Sequence, residues 1–237
     1  MSDRLWLVVP AAGQGRRMGA DRPKQYLEID GRPVLAHTLT RLHAAFPEAR
    51  LVLCLDANDQ FFDPRFVAFE HWQRVDGGCE RVDSVQNALN AIDAEDDDLV
   101  IVHDVARPCV SVEDLRTLVD NARAHPGGAL LAMPVADTMK RETEAGHSAH
   151  TEPRDGLWHA LTPQGFRFAL LKRALIRAVE QGMAVTDEAS AVEAQGLSPK
   201  LVSARRDNLK ITHPDDLALA AAILSLQAGN SNDTSKE

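Results

Sequence analysis

Val8-Val9-Pro10-Ala11-Ala12-Gly13-Gln14-Gly15-Arg16-Arg17-Met18-Gly19, running on to Pro23-Lys24-Gln25-Tyr26, is the stretch around which this chain is organised. The apolar run at residues 5–9 stops at Pro10, and small residues, three glycines, the paired Arg16 and Arg17, and Lys24 follow. An apolar run bounded by turn signals reads as a buried strand. A turn without bulk lets backbone N–H groups approach a ligand closely. Its cations add charge-assisted bonds that suit phosphate oxygens. The spacing Gly-x-Gly-x-x-x-Gly is not that of dinucleotide-binding folds, and the Walker pattern is absent. Arg16, Arg17 and Lys24 suit a polyphosphate better than a dinucleotide. The stretch therefore reads as a loop wrapped around a nucleoside triphosphate, the alternative being a surface loop with solvated cations.

Downstream, helices and strands alternate. Val34, Leu35, Leu39 and Leu42 have helical spacing, and residues 51–55 form a second buried strand. Residues 60–71, rich in phenylalanine, read as helical, with Pro64 limiting the start. A short strand at 74–76 ends at Gly77-Gly78, and Val82, Val85 and Leu89 share one helical face beyond it. The acidic cluster at 95–98 reads as a solvated loop. A strand at 99–102 stops at His103-Asp104. Ser111 with Asp114 forms a capping box for a helix to about residue 124, followed by a strand at 129–135. Further on come a strand at 157–161 ending at Thr162-Pro163, an amphipathic helix at 166–181, a short helix capped by Thr186, and a strand at 200–204. The last helix opens at Thr212-His213-Pro214-Asp215 and ends near 228, leaving 229–237 as a polar tail expected to be disordered. This pattern predicts one α/β domain over 1–228, built on a mainly parallel sheet with helices on both faces. Residues 137–155 break it: they are polar and lack a helical stripe. They form either a disordered loop or an extended hairpin arm, and a loop this long within a compact domain is usually functional.

The 237 residues carry a net charge of −9. That balance argues against non-specific nucleic-acid binding and against an anionic membrane surface as partner. Any phosphate site is thus a local concentration of cations in an acidic protein. Cys54, Cys79 and Cys109 are too few and too scattered for a disulfide framework. No signal peptide and no apolar run of transmembrane length is seen, so the expected location is cytoplasmic.

Four clusters fall at predicted strand ends, where open α/β sheets bind ligands. They are the glycine loop; Gly77-Gly78 with Arg81 and Ser84; His103-Asp104-Val105-Ala106-Arg107-Pro108; and Asp207-Asn208-Leu209-Lys210. Asp104 is open to a role on magnesium, on a substrate hydroxyl, or as a turn cap. Arg107 is open to a phosphate or to an ion pair with Asp104. His103 reads as structural. Lys210 sits in a short alternating stretch, facing either an anionic site or solvent. Thr186-Asp187-Glu188 is explained as a helix start, where acids favour the macrodipole.

Taken together, Pro10-Ala11-Ala12-Gly13-x-Gly15-x-Arg17-Met18, Pro23-Lys24-Gln25-Tyr26, Asp76-Gly77-Gly78, Arg81-x-x-Ser84, His103-Asp104-x-Ala106-Arg107-Pro108, Asp137-Thr138-x-Lys140, Leu157-Trp158 with Thr162-Pro163-Gln164, Thr186-Asp187-Glu188 and Asp207-Asn208-x-Lys210 closely resemble the 2-C-methyl-D-erythritol 4-phosphate cytidylyltransferase family of the non-mevalonate isoprenoid pathway. The resemblance runs from about residue 7 to 217. It implies CTP and methylerythritol phosphate as substrates, CDP-methylerythritol and pyrophosphate as products, and Mg2+ bridging triphosphate oxygens with no protein metal ligand assigned. It implies a Rossmann-like nucleotidyltransferase sheet and a homodimer formed through the 137–155 arm. By motif, Ala11, Ala12, Gly13, Gly78 and Ser84 would hold the nucleotide, and Arg81 is counted among the substrate-binding residues. Arg17 and Lys24 would stabilise charge at the α-phosphate. Asp104, Arg107, Thr138, Thr162, Thr186 and Lys210 would position the acceptor, with Lys210 counted among the catalytic cations. Arg154 would reach the partner subunit's substrate phosphate.

The acceptor phosphate is itself an ionised nucleophile, so positioning and charge stabilisation suffice and no general base is required. Cys79 and Val105 depart from the family's usual residues, at the nucleotide loop and beside the acceptor pocket. The rivals are a ribitol 5-phosphate cytidylyltransferase on the same scaffold and a catalytically inactive nucleotide-binding regulator.

Overall fold

The computed structural model describes residues 4–13 and 22–233. In chain order the elements are β1 (Leu5–Pro10), a 3-10 turn (Lys24–Tyr26), β2 (Glu28–Ile29), β3 (Arg32–Pro33), α1 (Val34–Ala45), β4 (Arg50–Leu55), a second 3-10 turn (Pro64–Phe66), β5 (Trp72–Asp76), α2 (Arg81–Ala91), β6 (Leu99–Val102), α3 (Val112–Ala124), β7 (Ala129–Pro134), β8 (Met139–Glu142), β9 (Ser148–Glu152), β10 (Trp158–Arg167), α4 (Phe168–Glu180), α5 (Glu188–Glu193), β11 (Lys200–Ser203) and α6 (Asp215–Asp233).

Seven strands form one sheet in the order β11-β7-β10-β6-β1-β4-β5. All neighbours are parallel except β10, which runs antiparallel to both β6 and β7. The period-2 alternation of the central strands divides the core between the two faces. Leu7, Val9, Leu51, Leu53, Leu99 and Ile101 pack with residues of α1 and α3. Trp6, Val8, Val52, Cys54, Val100 and Val102 pack with α2, α4 and α5 on the other side. β1 has β4 on one side and β6 on the other, so the chain changes direction across β1. Its carboxyl end is the place where such sheets open a crevice.

Several expectations are corrected. Residues 60–71 hold only the single turn Pro64–Phe66. Asp59 accepts from the N–H groups of Phe61 and Phe62, and Asp63 accepts from that of Arg65. These local bonds offer the backbone an alternative to helix, while Phe62 and Phe66 still pack onto the core. The 95–98 cluster is not uniformly solvated: Asp98 is fully buried, accepting from the Arg4 and Glu95 N–H groups and from the Trp6 indole. The strand expected to end at 161 continues to Arg167, with a register shift against β7 between Ala160 and Gln164 that accommodates the missing N–H of Pro163. The cap of α5 is Asp187, which accepts from the Ser190 N–H at 2.9 Å, rather than Thr186. α6 extends to Asp233, past the predicted end and into the expected tail.

Of the two alternatives for 137–155, the hairpin is the one observed: β8 and β9 pair antiparallel and are largely exposed. Among the described residues no helix is long and apolar enough to cross a membrane, and all three cysteines are free thiols.

Candidate active site

A cleft of about 830 Å³ lies over the carboxyl ends of β1, β4, β5 and β6. Its walls are built from short segments that follow the strands, with the Lys24–Gln25 turn and Lys210. At the end of β1, the Ala11 N–H donates to the Cys54 carbonyl at 2.8 Å. The Ala11 carbonyl accepts from the buried Gln25 amide at 2.6 Å, which ties the Lys24–Tyr26 turn to the loop. After β5, the Gly77 N–H donates to the Leu55 carbonyl at 2.7 Å, and the Gly78 N–H donates to Ser84 Oγ at 3.0 Å. A Cβ on Gly77 would stand 2.2 Å from the Ala12 Cβ, so the two loops meet only because this residue has no side chain.

After β6, Asp104 is buried and collects cations. Arg81 Nε donates to its Oδ1 at 2.8 Å, Lys210 Nζ donates to its Oδ2 at 2.7 Å, and Arg107 Nε lies 3.9 Å away. Burial alone would raise the Asp104 carboxyl, but Arg81 and Lys210 outweigh it and hold it far below the usual carboxylate range. Arg81 also forks onto Glu188, with Nη1 and Nη2 at 2.6 and 3.0 Å from Oε1 and Oε2. Lys210, in its short alternating stretch, lies outside the strands. It sits in an extended segment pinned by the Ile211 N–H to the Ala106 carbonyl at 2.8 Å.

Beneath Asp104 lies a second layer. The Asp104 N–H donates to Thr162 Oγ1, and Asn208 donates to the Thr162 carbonyl. Arg107 Nη1 donates to the Asn208 carbonyl. His103 Nε2 faces the Arg107 carbonyl at 3.1 Å and therefore carries the proton, which leaves Nδ1 to accept from Thr162 Oγ1 at 3.2 Å. His103 is thus a structural neutral imidazole, as its position suggested, and burial pushes it down to about 4.

A pH dependence follows with a definite sign. Between about 6.5 and 4 the unfolded chain binds a proton at His103 that the folded chain does not, so stability rises with pH across that window. The expected contribution is on the order of 3 kcal/mol. Melting temperatures at pH 5 and pH 7 should differ less in His103→Gln than in the unsubstituted protein; equal differences would remove His103 as the cause.

The structure brings Ala11, Ala12, Gly13, Lys24, Gly78, Arg81, Ser84, Asp104 and Lys210 to the cleft wall. Arg107 and Thr162 are buried just below it. Thr138, Arg154 and Thr186 are exposed and are not among the residues that line the cleft; the Arg154 guanidinium donates to the Ala136 carbonyl. Arg17 lies outside the described residues. Cys79 lines the cleft and is exposed; Val105 also lines it, with its side chain buried against the core. Sequence reasoning missed Glu188. An acid at a helix start is already explained by the macrodipole, and nothing local signals a partner 107 positions away.

An open, mostly parallel α/β sheet with a glycine-lined cleft, where Lys24, Arg81 and Lys210 converge, has the layout of a nucleotidyltransferase. Residues 5–226 match the family described as 2-C-methyl-D-erythritol 4-phosphate cytidylyltransferase (IspD), and the chain belongs to that family. A relative of that name from Chromohalobacter salexigens is 65% identical over 224 residues, spanning 94% of this chain and 90% of the relative. One from Vibrio parahaemolyticus is 49% identical over 224 residues, with 94% and 96% covered. Among solved structures, a 4-diphosphocytidyl-2C-methyl-D-erythritol synthase superposes with a TM-score of 0.82 at 36% identity, covering 94% of this chain and 99% of that one. The Francisella tularensis 2-C-methyl-D-erythritol 4-phosphate cytidylyltransferase does so with a TM-score of 0.80 at 33% identity, covering 93% and 99%.

Proposed function

We propose that this enzyme transfers CMP from CTP to 2-C-methyl-D-erythritol 4-phosphate, giving CDP-methylerythritol and pyrophosphate. The observation that carries this is the convergence of Lys24, Arg81 and Lys210 on a cleft walled by the glycine loops, within the matched family. The Gly13 and Gly78 loops and Ser84 hold the nucleotide. Lys24, together with Arg17, faces the charge that builds at the α-phosphate. Lys210 and Asp104, backed by Arg107 and Thr162, hold the acceptor so that its phosphate attacks in line and pyrophosphate leaves. Two anions meet in this step, so catalysis lies in positioning and charge stabilisation.

Mg2+ accompanies the triphosphate in this reading. Among the described residues no three ligands cluster for a metal. The cleft carboxylates are engaged within the protein: Asp104 by its cations, Asp56 by the Asn58 N–H, and Glu80 in the α2 capping box. The donor set therefore fits an ion carried on phosphate oxygens, and the steps assigned to the side chains do not run through it.

Pyrophosphate release from CTP and Mg2+ tests the assignment, with methylerythritol phosphate or ribitol 5-phosphate as acceptor. Release only with the first is expected. Release only with the second moves the protein to the sister activity. Silence with both, in protein that binds CTP, identifies a regulator.

We also propose a homodimer built through the arm, with Arg154 and Thr138 completing the partner's acceptor site and Thr186 closing the same site from its own chain. A two-stranded hairpin is marginal on its own, and Leu157 and Trp158 beside it are 42% and 38% exposed. Sedimentation should give twice the chain mass. Mixing Arg154→Ala with Lys24→Ala subunits should restore part of the activity; a monomer, or no restoration, rejects the shared site. The reading places the reaction in the cytoplasm, and activity confined to a membrane pellet would count against that.

A further inference from the structure

Glu188 is the first residue of α5, and its carboxylate is turned inward onto Arg81. From there charges alternate toward the cleft: Glu188, Arg81, Asp104, Lys210, joined at 2.6, 2.8 and 2.7 Å. Side-chain exposure is 1%, 29%, 8% and 40% along this series, so it starts in the interior and ends at the cleft surface. α5 is itself fixed to the sheet, because Gln164 of β10 donates to Asp187 and accepts from the Ala189 N–H.

A first-turn acid gains its macrodipole energy while solvated. Burying it against one arginine adds desolvation that an apolar pair would avoid, so stability does not account for this arrangement. Geometry does. A two-pronged carboxylate–guanidinium fork allows Arg81 one plane, and in that plane its Nε meets Asp104 Oδ1. Asp104 then has only Oδ2 to offer, and that oxygen holds the Lys210 ammonium.

We propose that Glu188 is a positioning residue for the acceptor phosphate: its fork on Arg81 fixes Asp104, which holds Lys210 into the cleft. The identity of the acceptor rests on the proposed cytidylyl transfer.

Glu188→Gln keeps the shape and one acceptor oxygen but removes the charge. Its KM for methylerythritol phosphate should rise about tenfold, the scale of one charge-assisted hydrogen bond, with kcat and the KM for CTP each within about twofold. Arg81→Lys keeps the charge without the fork and should move the same constant in the same direction. Independently of turnover, the Arg81 Nε–H resonance should be sharp and slowly exchanging in the unsubstituted protein and broadened in Glu188→Gln. An unchanged resonance overturns the lock. A fall in kcat with both KM values unmoved, or equal rises in both, overturns the acceptor role and leaves a merely structural one. An unsubstituted protein inert toward methylerythritol phosphate overturns the proposed function and the acceptor half of this inference, while the resonance still decides the lock.

Discussion

Lys24→Ala should reduce turnover by about 10²- to 10³-fold, the range for removing one preorganised donor from a developing oxyanion. CTP affinity should change by less than about fivefold, because the backbone loops that hold the nucleotide remain. The lysine is well placed for such a role. It sits on a one-turn 3-10 helix beside the glycine loop, held by Gln25 on the Ala11 carbonyl and by Tyr26, whose hydroxyl donates to Asp59 at 2.5 Å. Its Nζ lies 3.2 Å from the Ile211 carbonyl, which limits where the ammonium can go. Such an ammonium loses little freedom when charge appears at the α-phosphate. Single-turnover rates and CTP titrations on the same preparation separate the two effects. Equal losses in rate and affinity would make Lys24 a general phosphate anchor and leave the assigned role untenable.

Asp104→Asn should be the most destabilising isosteric change at the site. It leaves Lys210 and Arg107 without a neutralising carboxylate and deprives Arg81 of one of its two. Breaking a buried ion pair from one side typically costs about 3–5 kcal/mol. For a chain of this size that lowers the melting temperature by roughly 6–20 °C. The acid side supplies a second check. The Asp104 carboxyl titrates lower in the folded chain than in the unfolded one. Its contribution is therefore present above the unfolded value, near 3.9, and is lost as pH falls below it. That window lies below the His103 window, so the two are separable in one pH series. A variant that melts with the unsubstituted protein, or keeps its steep loss below pH 4, would show that Asp104 is not the centre of the charge cluster.

The alternation of apolar runs with helical stripes was enough to read the sheet and the helices on its two faces. Residues 5–9, 51–55 and 99–102 are apolar on both sides because they are buried on both sides. The 60–71 segment was misread, since aromatic content says nothing about Asp59 and Asp63 bonding to their own neighbours. β10 was cut short at Pro163 because a proline's tolerance depends on whether its neighbour strand needs an N–H there, which is a property of the register.

At the site, the residue types were legible along the chain. Glycines mark where backbone must approach closely, and lysines and arginines at strand ends mark where anions are met. Both follow from local chemistry and from the rule that parallel strands open at their carboxyl edge. How the charges pair was settled by the fold. Arg81, counted by resemblance among the substrate-binding residues, is committed inward to Asp104 and Glu188. His103 is neutral because it is buried between the Arg107 carbonyl and Thr162. A charge's partner is set by distance and desolvation, and these depend on which strands the fold brings side by side, not on spacing along the chain.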